Sequence, residues 1–162
     1  MLTCVDVDYR PDAAVAAAVS FARWSDATPV AETTLRLPGA PAEYEPGQFY
    51  KRELPPLLAL LRQVPSVALV IVDGYVTLGN RPGLGRHLHD ALGVIVVGVA
   101  KSEYRGASEA LPLLRGKSRR PLWITAVGVD VAEAARGVAM MAGESRIPAL
   151  LKRVDRLARS GG

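Results

Sequence analysis

Three carboxylates sit where chemistry, rather than packing, accounts for them. Asp6 lies in the alternating segment TCVDVDYR at 3–10, Glu53 closes the stretch YEPGQFYKRE at 44–53, and Asp73 follows the wholly apolar run VALVIV at 67–72. A carboxylate reached after six apolar residues is not part of a core, and ligand sites in open α/β sheets lie at the carboxyl ends of strands. Clustered carboxylates repel one another unless a cation neutralises them. With one cysteine and two histidines in the whole chain, an all-oxygen donor set favours Mg²⁺ or Mn²⁺ over Zn²⁺. Such a site suits phosphoryl chemistry, in which one cation generates hydroxide from water and the same or a second cation stabilises the leaving oxygen. Taken singly, each carboxylate is equally well a turn or cap residue. The constellation carries the argument.

The elements that must position these groups follow from periodicity. Residues 3–10 alternate apolar and polar and read as a strand, with Asp6 and Asp8 facing the same way. Two further strand-like stretches, 14–24 and 28–37, are spaced by PD at 11–12 and SDATP at 25–29, which predicts an antiparallel meander of three strands. The alanines of the first of these favour helix and compete with that reading. PGAPAEYEPG at 38–47 is a loop. A helix is expected from near Pro55 to about Val64, with Leu57, Leu61 and Val64 on one face. The pattern then changes to strand 67–72, helix 83–92 and strand 94–100, a crossover unit with parallel strands. The basic stretch RGKSRR at 115–120 precedes a strand at 121–129, and helices over about 131–142 and 147–159 finish the chain. The expected fold class is α/β: a mixed sheet, part antiparallel meander and part parallel, with helices on its faces, forming a single domain over 1–162.

Composition sets bounds. Hydrophobic residues at 49% and charged residues at 22% are globular values that exclude disorder and coiled coil. The longest apolar runs, VALVIV and GVIVVGVA at 93–100, are too short for a membrane span. MLTCVDVDYR lacks the features of a secretion signal, so a cytoplasmic location with no membrane partner is expected. Cys4 has no partner for a disulfide or a thiolate site and is expected to pack within a strand. The net charge of +4 is unevenly spread: residues 1–100 hold eight Lys/Arg against ten Asp/Glu, and residues 101–162 hold twelve against six. Carboxylates early and cations late suit a chain that holds divalent cations and grips a polyanion, although ordinary solvated faces give the same count.

The segments VDVDYR (5–10), YEPGQFYKRE (44–53), VIVDG (70–74), VGVAK (97–101) and RIPALLKRVD (146–155) resemble, in order, the successive motifs of the endonuclease V family. The resemblance implies a ribonuclease H-like fold. It also implies hydrolysis of a phosphodiester in DNA or RNA containing a deaminated base, typically inosine, at the second phosphodiester on the 3′ side. It makes Asp6, Glu53 and Asp73 metal ligands, Tyr44 with Pro46 and Gly47 a wedge entering the vacated base position, Gly74 part of the base pocket, and Lys101 the neighbour of the scissile phosphate. An aromatic ring on a Pro-Gly turn suits stacking where a base has been flipped out, and a loop tyrosine packed on the body is the plain alternative. Arg146, Lys152, Arg153, Arg156 and Arg159 either track phosphates or form a wet helix face.

The chain departs from the family pattern in two places. After Asp73 and Gly74, Tyr75-Val76 and Gly79-Asn80 replace the usual His-Gly and His-Pro pairs. Near the last strand, where the family has a histidine, this chain has AVGVD at 126–130, and Asp130 is expected to supply a fourth oxygen ligand in its place. His87 and His89 are read as surface histidines. A nucleic-acid-binding protein of the same fold that has reduced or lost cleavage is the alternative reading.

Overall fold

The computed structural model describes residues 1–43, 45–46 and 48–161. The amino-terminal meander is as expected: β1 (Leu2–Arg10), β2 (Ala13–Phe21) and β3 (Ala31–Pro38) pair antiparallel in sequence. All nine residues of β2 are buried. Its alanines serve as a strand because helices cover both faces of the sheet there, and small side chains let them approach closely; tertiary packing overrides the helical preference.

Helix α1 (Tyr50–Leu61) begins ahead of the expected start and contains Pro55 and Pro56. Its first turn is held by Lys51 N–H to the Gln48 carbonyl (3.1 Å) and Arg52 N–H to the Phe49 carbonyl (3.1 Å). The prolines then fall past the first turn, where their missing N–H groups leave two carbonyls without helical donors. Strand β4 (Leu69–Asp73), a small hairpin β5 (Thr77–Leu78) and β6 (Arg81–Pro82), helix α2 (Leu84–Leu92) and strand β7 (Ile95–Ala100) follow. Strands β8 (Leu111–Leu113) and β9 (Leu122–Val127) and helices α3 (Val131–Met140) and α4 (Ala149–Ser160) complete the order.

The main sheet has seven strands in the order β3-β2-β1-β4-β7-β9-β8. β1, β4 and β7 run parallel, so their carboxyl ends share one edge, whereas β9 is antiparallel to β7. One core cluster, including Phe21, Leu122, Ile124, Val138 and Leu150, fills the face under α3 and α4. The other, including Leu57, Leu60, Val70, Val72 and Leu88, fills the face under α1 and α2. Cys4 is buried in β1, and that burial pushes its thiol far above the ordinary range, which makes it inert. Among the described residues no helix is long and apolar enough to cross a membrane.

Candidate active site

Register brings the first two carboxylates together. Val5 of β1 pairs with Val72 of β4, so Asp6 and Asp73 stand side by side one residue further on, on strands about 4.8 Å apart. Val5 and Val72 belong to the cluster under α1 and α2, so alternation turns Asp6 and Asp73 toward the α4 layer. Glu53, in the first turn of α1, reaches the same edge from the opposite layer. The three carboxylates line one cavity of about 240 Å³, together with Phe49, Leu57 and Leu84.

Their electrostatics confirm the proximity. Burial, opposed in part by the Val7 backbone hydrogen bond and reinforced by Asp155 and Asp73, pushes Asp6 up to about 6. Burial, then the charges of Asp6 and Asp73, pushes Glu53 up to about 7, against a lowering pull from Arg52. Burial first and like charge second thus raise both carboxyl groups toward neutrality.

Lys101, just past the end of β7, donates from Nζ to Asp73 Oδ2 at 2.5 Å. Gly74, at φ +136°, turns the chain sharply after Asp73. This turn lies so close to β7 that a Cβ on Gly98 would meet the Gly74 carbonyl and Thr125 Oγ1, each at 2.5 Å. Thr125 in turn holds the Val76 N–H at 2.9 Å. Gly98 was visible only as one letter of VGVAK; its role needs the neighbouring strand. Beyond the turn, the Tyr75 hydroxyl donates to the Ser102 carbonyl (2.6 Å) and accepts from the Tyr104 N–H (2.8 Å). These tyrosines, with Phe49, Tyr50, Gly74, Leu84 and Lys101, border a cavity of about 570 Å³ beside Glu53 and Asp73.

The structure corrects the expectation for Asp130. Asp73 is level with Val99 and hence with Ile124, and β9 runs from there away from the site edge. Asp130 therefore lies beyond the end of β9, where Val127 pairs with Val96 at the start of β7, toward the opposite edge of the sheet. It caps α3, accepting from the Ala132 and Glu133 N–H groups at 3.1 and 3.3 Å.

The fourth carboxylate is Asp155 instead. On α4, which packs on β1 and β2, it lines a cavity with Asp6 and its charge helps to raise the Asp6 carboxyl. It also accepts from Arg159 at 3.0 Å. Asp6, Asp73, Lys101, Asp155 and Arg159 border a second cavity of about 170 Å³. The residue ends the quoted segment RIPALLKRVD, but among five cations it reads as the minority charge of a solvated face.

Other expected groups are placed as follows. Tyr44 and Gly47 lie outside the described residues, and Pro46 is exposed in the loop before α1. Arg146 is turned to backbone carbonyls of Lys101, Arg120 and Pro121, Arg153 pairs with Glu32, and Arg159 pairs with Asp155. Arg146 thus serves the backbone, whereas Arg153 and Arg159 are exposed and paired with carboxylates. His87 stacks on Tyr50 at 3.9 Å and His89 contacts the Val94 carbonyl at 2.7 Å, so neither is a free surface group.

The donor set of Asp6, Glu53 and Asp73, oxygen only and from three elements, suits a hard divalent cation, and burial first, with neighbouring acids second, raises two of these carboxyl groups. With the side chains as they stand, no group of three or more His, Cys, Asp or Glu among the described residues is gathered closely enough to hold one. Asp73 is paired with Lys101 and Asp155 with Arg159.

A mixed sheet with helices on both faces and acidic residues at the carboxyl edge of its parallel strands defines a nuclease of the ribonuclease H-like class. The Endonuclease V family model matches residues 1–138. A relative named endonuclease V from Streptomyces avermitilis is 31% identical over 188 residues, covering 98% of this chain and 79% of its own length. The crystal structure of endonuclease V from that organism superposes with a TM-score of 0.75 at 33% identity, covering 98% and 79% of the two chains. The fold also matches endonuclease V of Ciona intestinalis in complex with a 24mer DNA containing an inosine, at TM-score 0.79 and 19% identity, covering 98% and 83%. This chain belongs to the endonuclease V family.

Proposed function

We propose that this nuclease hydrolyses a phosphodiester on the 3′ side of a deaminated base, inosine, in DNA or RNA, using Mg²⁺ or Mn²⁺ held by Asp6, Glu53 and Asp73. The observation that carries the reading is the convergence of Asp6, Glu53 and Asp73 on one cavity at the carboxyl edge of the parallel strands, where burial and neighbouring acids raise Asp6 and Glu53. A bound cation supplies the positive charge that lets these groups ionise together and that polarises water and the leaving oxygen. The chain's own residues do the positioning. Lys101 Nζ, exposed and now on Asp73, exchanges that partner for a phosphate oxygen. Asp155, which lines a cavity with Asp6 and Asp73, adds a further carboxylate oxygen to this edge. The aromatic cavity beside Asp73 receives the base, and Tyr44 with Pro46 and Gly47 fills the space it leaves. A cytoplasmic location belongs to the same reading.

Asp155 favours catalysis over binding alone, because it supplies the fourth oxygen donor that Asp130 does not. The test is cleavage of labelled inosine-containing DNA, inosine-containing RNA and unmodified strands with Mg²⁺, Mn²⁺ or a chelator. Metal-dependent cutting of inosine strands only is expected. Tight binding with no cutting under any metal would establish the binding-only alternative.

A further inference from the structure

The basic loop between β8 and β9 is held with unusual firmness for a run of like charges. Arg115, 7% exposed, anchors one end: its guanidinium donates to the carbonyls of Ser145 (2.8 Å), Gly143 (3.1 Å) and Met141 (2.5 Å). Gly116, at φ +60°, packs so closely on the following segment that a Cβ would meet the Glu144 carbonyl at 2.2 Å. Arg146 anchors the other end, donating from Nε to the Arg120 carbonyl and from Nη2 to the Pro121 carbonyl, both at 2.9 Å, and to the carbonyl of Lys101. One guanidinium thus ties the loop to the residue beside Asp73, leaving the two backbones within about 6 Å.

Between these anchors Lys117, Arg119 and Arg120 are exposed. None of them forms an ion pair among the described residues, and the nearby Glu144 does not pair with them. Other exposed cations, such as Arg62 and Arg136, also lack an ion pair among the described residues, but they are not clustered within four residues between two backbone anchors. Three unpaired cations fixed on a loop repel one another, and the arrangement suits a partner that carries regularly spaced negative charge.

We propose that Lys117, Arg119 and Arg120 form a preorganised phosphate rim that holds the single strand leaving the active site on its 3′ side. The direction rests on the proposed function. Lys101 borders the aromatic cavity on one side, and on the other its carbonyl is bound by Arg146 to the basic loop. A strand with its modified base in that cavity and its cut bond at Lys101 reaches the rim with the nucleotides beyond the cut.

The test measures binding, in a chelator, of single strands carrying one inosine with about two or about ten nucleotides on the 3′ side, a range comparable to known single-strand sites. A parallel 5′ series and an unmodified strand complete the set. Wild type should gain affinity from the 3′ extension. Lys117→Ala/Arg119→Ala/Arg120→Ala, which leaves every backbone anchor in place, should lose most of that gain. It should also reduce the slope of log affinity against log salt by about 2, at roughly 0.7 per phosphate contact. Arg23→Ala/Arg62→Ala, on the opposite edge, should keep the 3′ gain. An unchanged 3′ gain and slope in the triple variant, or an equal loss in the control, overturns the rim. If inosine and unmodified strands bind alike and neither is cut with Mn²⁺, the proposed function fails instead, and the salt slope on unmodified strand still decides the rim.

Discussion

The two edges of the central sheet use aspartates in opposite ways. At the amino edge, Asp26 accepts backbone N–H groups of Ala22 and Arg23 at 3.1 and 2.9 Å, and Asp130 accepts those of Ala132 and Glu133. These carboxylates complete turns and a helix end, and the N–H groups they accept stabilise their charge. At the carboxyl edge, Asp6 and Glu53 are crowded by burial and by other acids, and hold their protons to about 6 and about 7. A carboxylate supplied with N–H donors serves the fold. One crowded against its own kind is a cost to the fold, retained for what it binds.

The comparison is broken most directly at Asp73. Asp73→Asn removes one charge with little change in volume, and turnover on inosine-containing strands should fall about 10³-fold or more, as for a member of a catalytic unit. Folding, followed by circular dichroism, should be unaffected. Activity equal to wild type would place Asp73 with the structural aspartates.

Asp155→Asn should have a smaller effect, because that residue acts in large part through Asp6. A loss of about 10- to 100-fold is expected, the range for groups that orient a metal ligand. Because the variant also removes a like charge from beside Asp6, the acid limb of the pH–rate profile should move to lower pH. A loss with no movement of the profile would mean that Asp155 only helps to dock α4.

Tyr44→Ala tests recognition rather than chemistry. Loss of stacking should weaken binding of inosine strands by roughly 10- to 100-fold, while Tyr44→Phe retains most of it. Equal binding of inosine, uracil and undamaged strands by Tyr44→Ala and wild type would remove the wedge.

Much of this contrast was legible in the sequence. Alternation at 3–10 and the apolar run before Asp73 placed two carboxylates at strand positions, and the meander and the β4-α2-β7 unit followed from spacing. The expectation for Asp130 came from its nearness in sequence to the family's histidine position, which says nothing of strand direction. A strand reached through a helix would have run parallel to β7, but residues 101–121 contain only the three-residue β8, and the chain returns antiparallel. That reversal carries the end of β9 to the wrong edge, and no local pattern records it. Asp155 was missed for the complementary reason: its function depends on a contact across 149 residues of sequence with Asp6. The site's aromatic wall was hidden likewise, since Tyr75 and Tyr104 meet only when loop 101–106 folds back.

The crowded edge also predicts a pH dependence. Asp6 and Glu53 stand above their unfolded values of about 4, so the stability they contribute is whole below about pH 4 and is lost as pH rises through about 6 and about 7. In a chelator, the melting temperature should fall between pH 5 and pH 8, and Mg²⁺ or Mn²⁺ should restore it at the higher pH. Asp6→Asn/Glu53→Gln should flatten the profile. A metal-free protein equally stable across this range would show that burial and neighbouring acids do not raise the two groups in the folded state.

The smallest effect is expected at Asp130, and it sharpens the contrast because the substitution can be graded. The carboxylate satisfies two N–H groups at the start of α3, so Asp130→Ala should cost about 1 kcal/mol, roughly 2–4 °C in melting temperature for a chain of this size. Asp130→Asn accepts the same hydrogen bonds and should lose only a fraction of that. Neither change should alter kcat on an inosine strand, since the cap lies at the far edge from Asp73. Asp130→Asn should thus be nearly silent, whereas Asp73→Asn should lower turnover about 10³-fold or more: the same chemical change, separated only by what the carboxylate faces. A fall in kcat for Asp130→Asn at unchanged stability would bring Asp130 back to the active site and contradict the antiparallel course of β9.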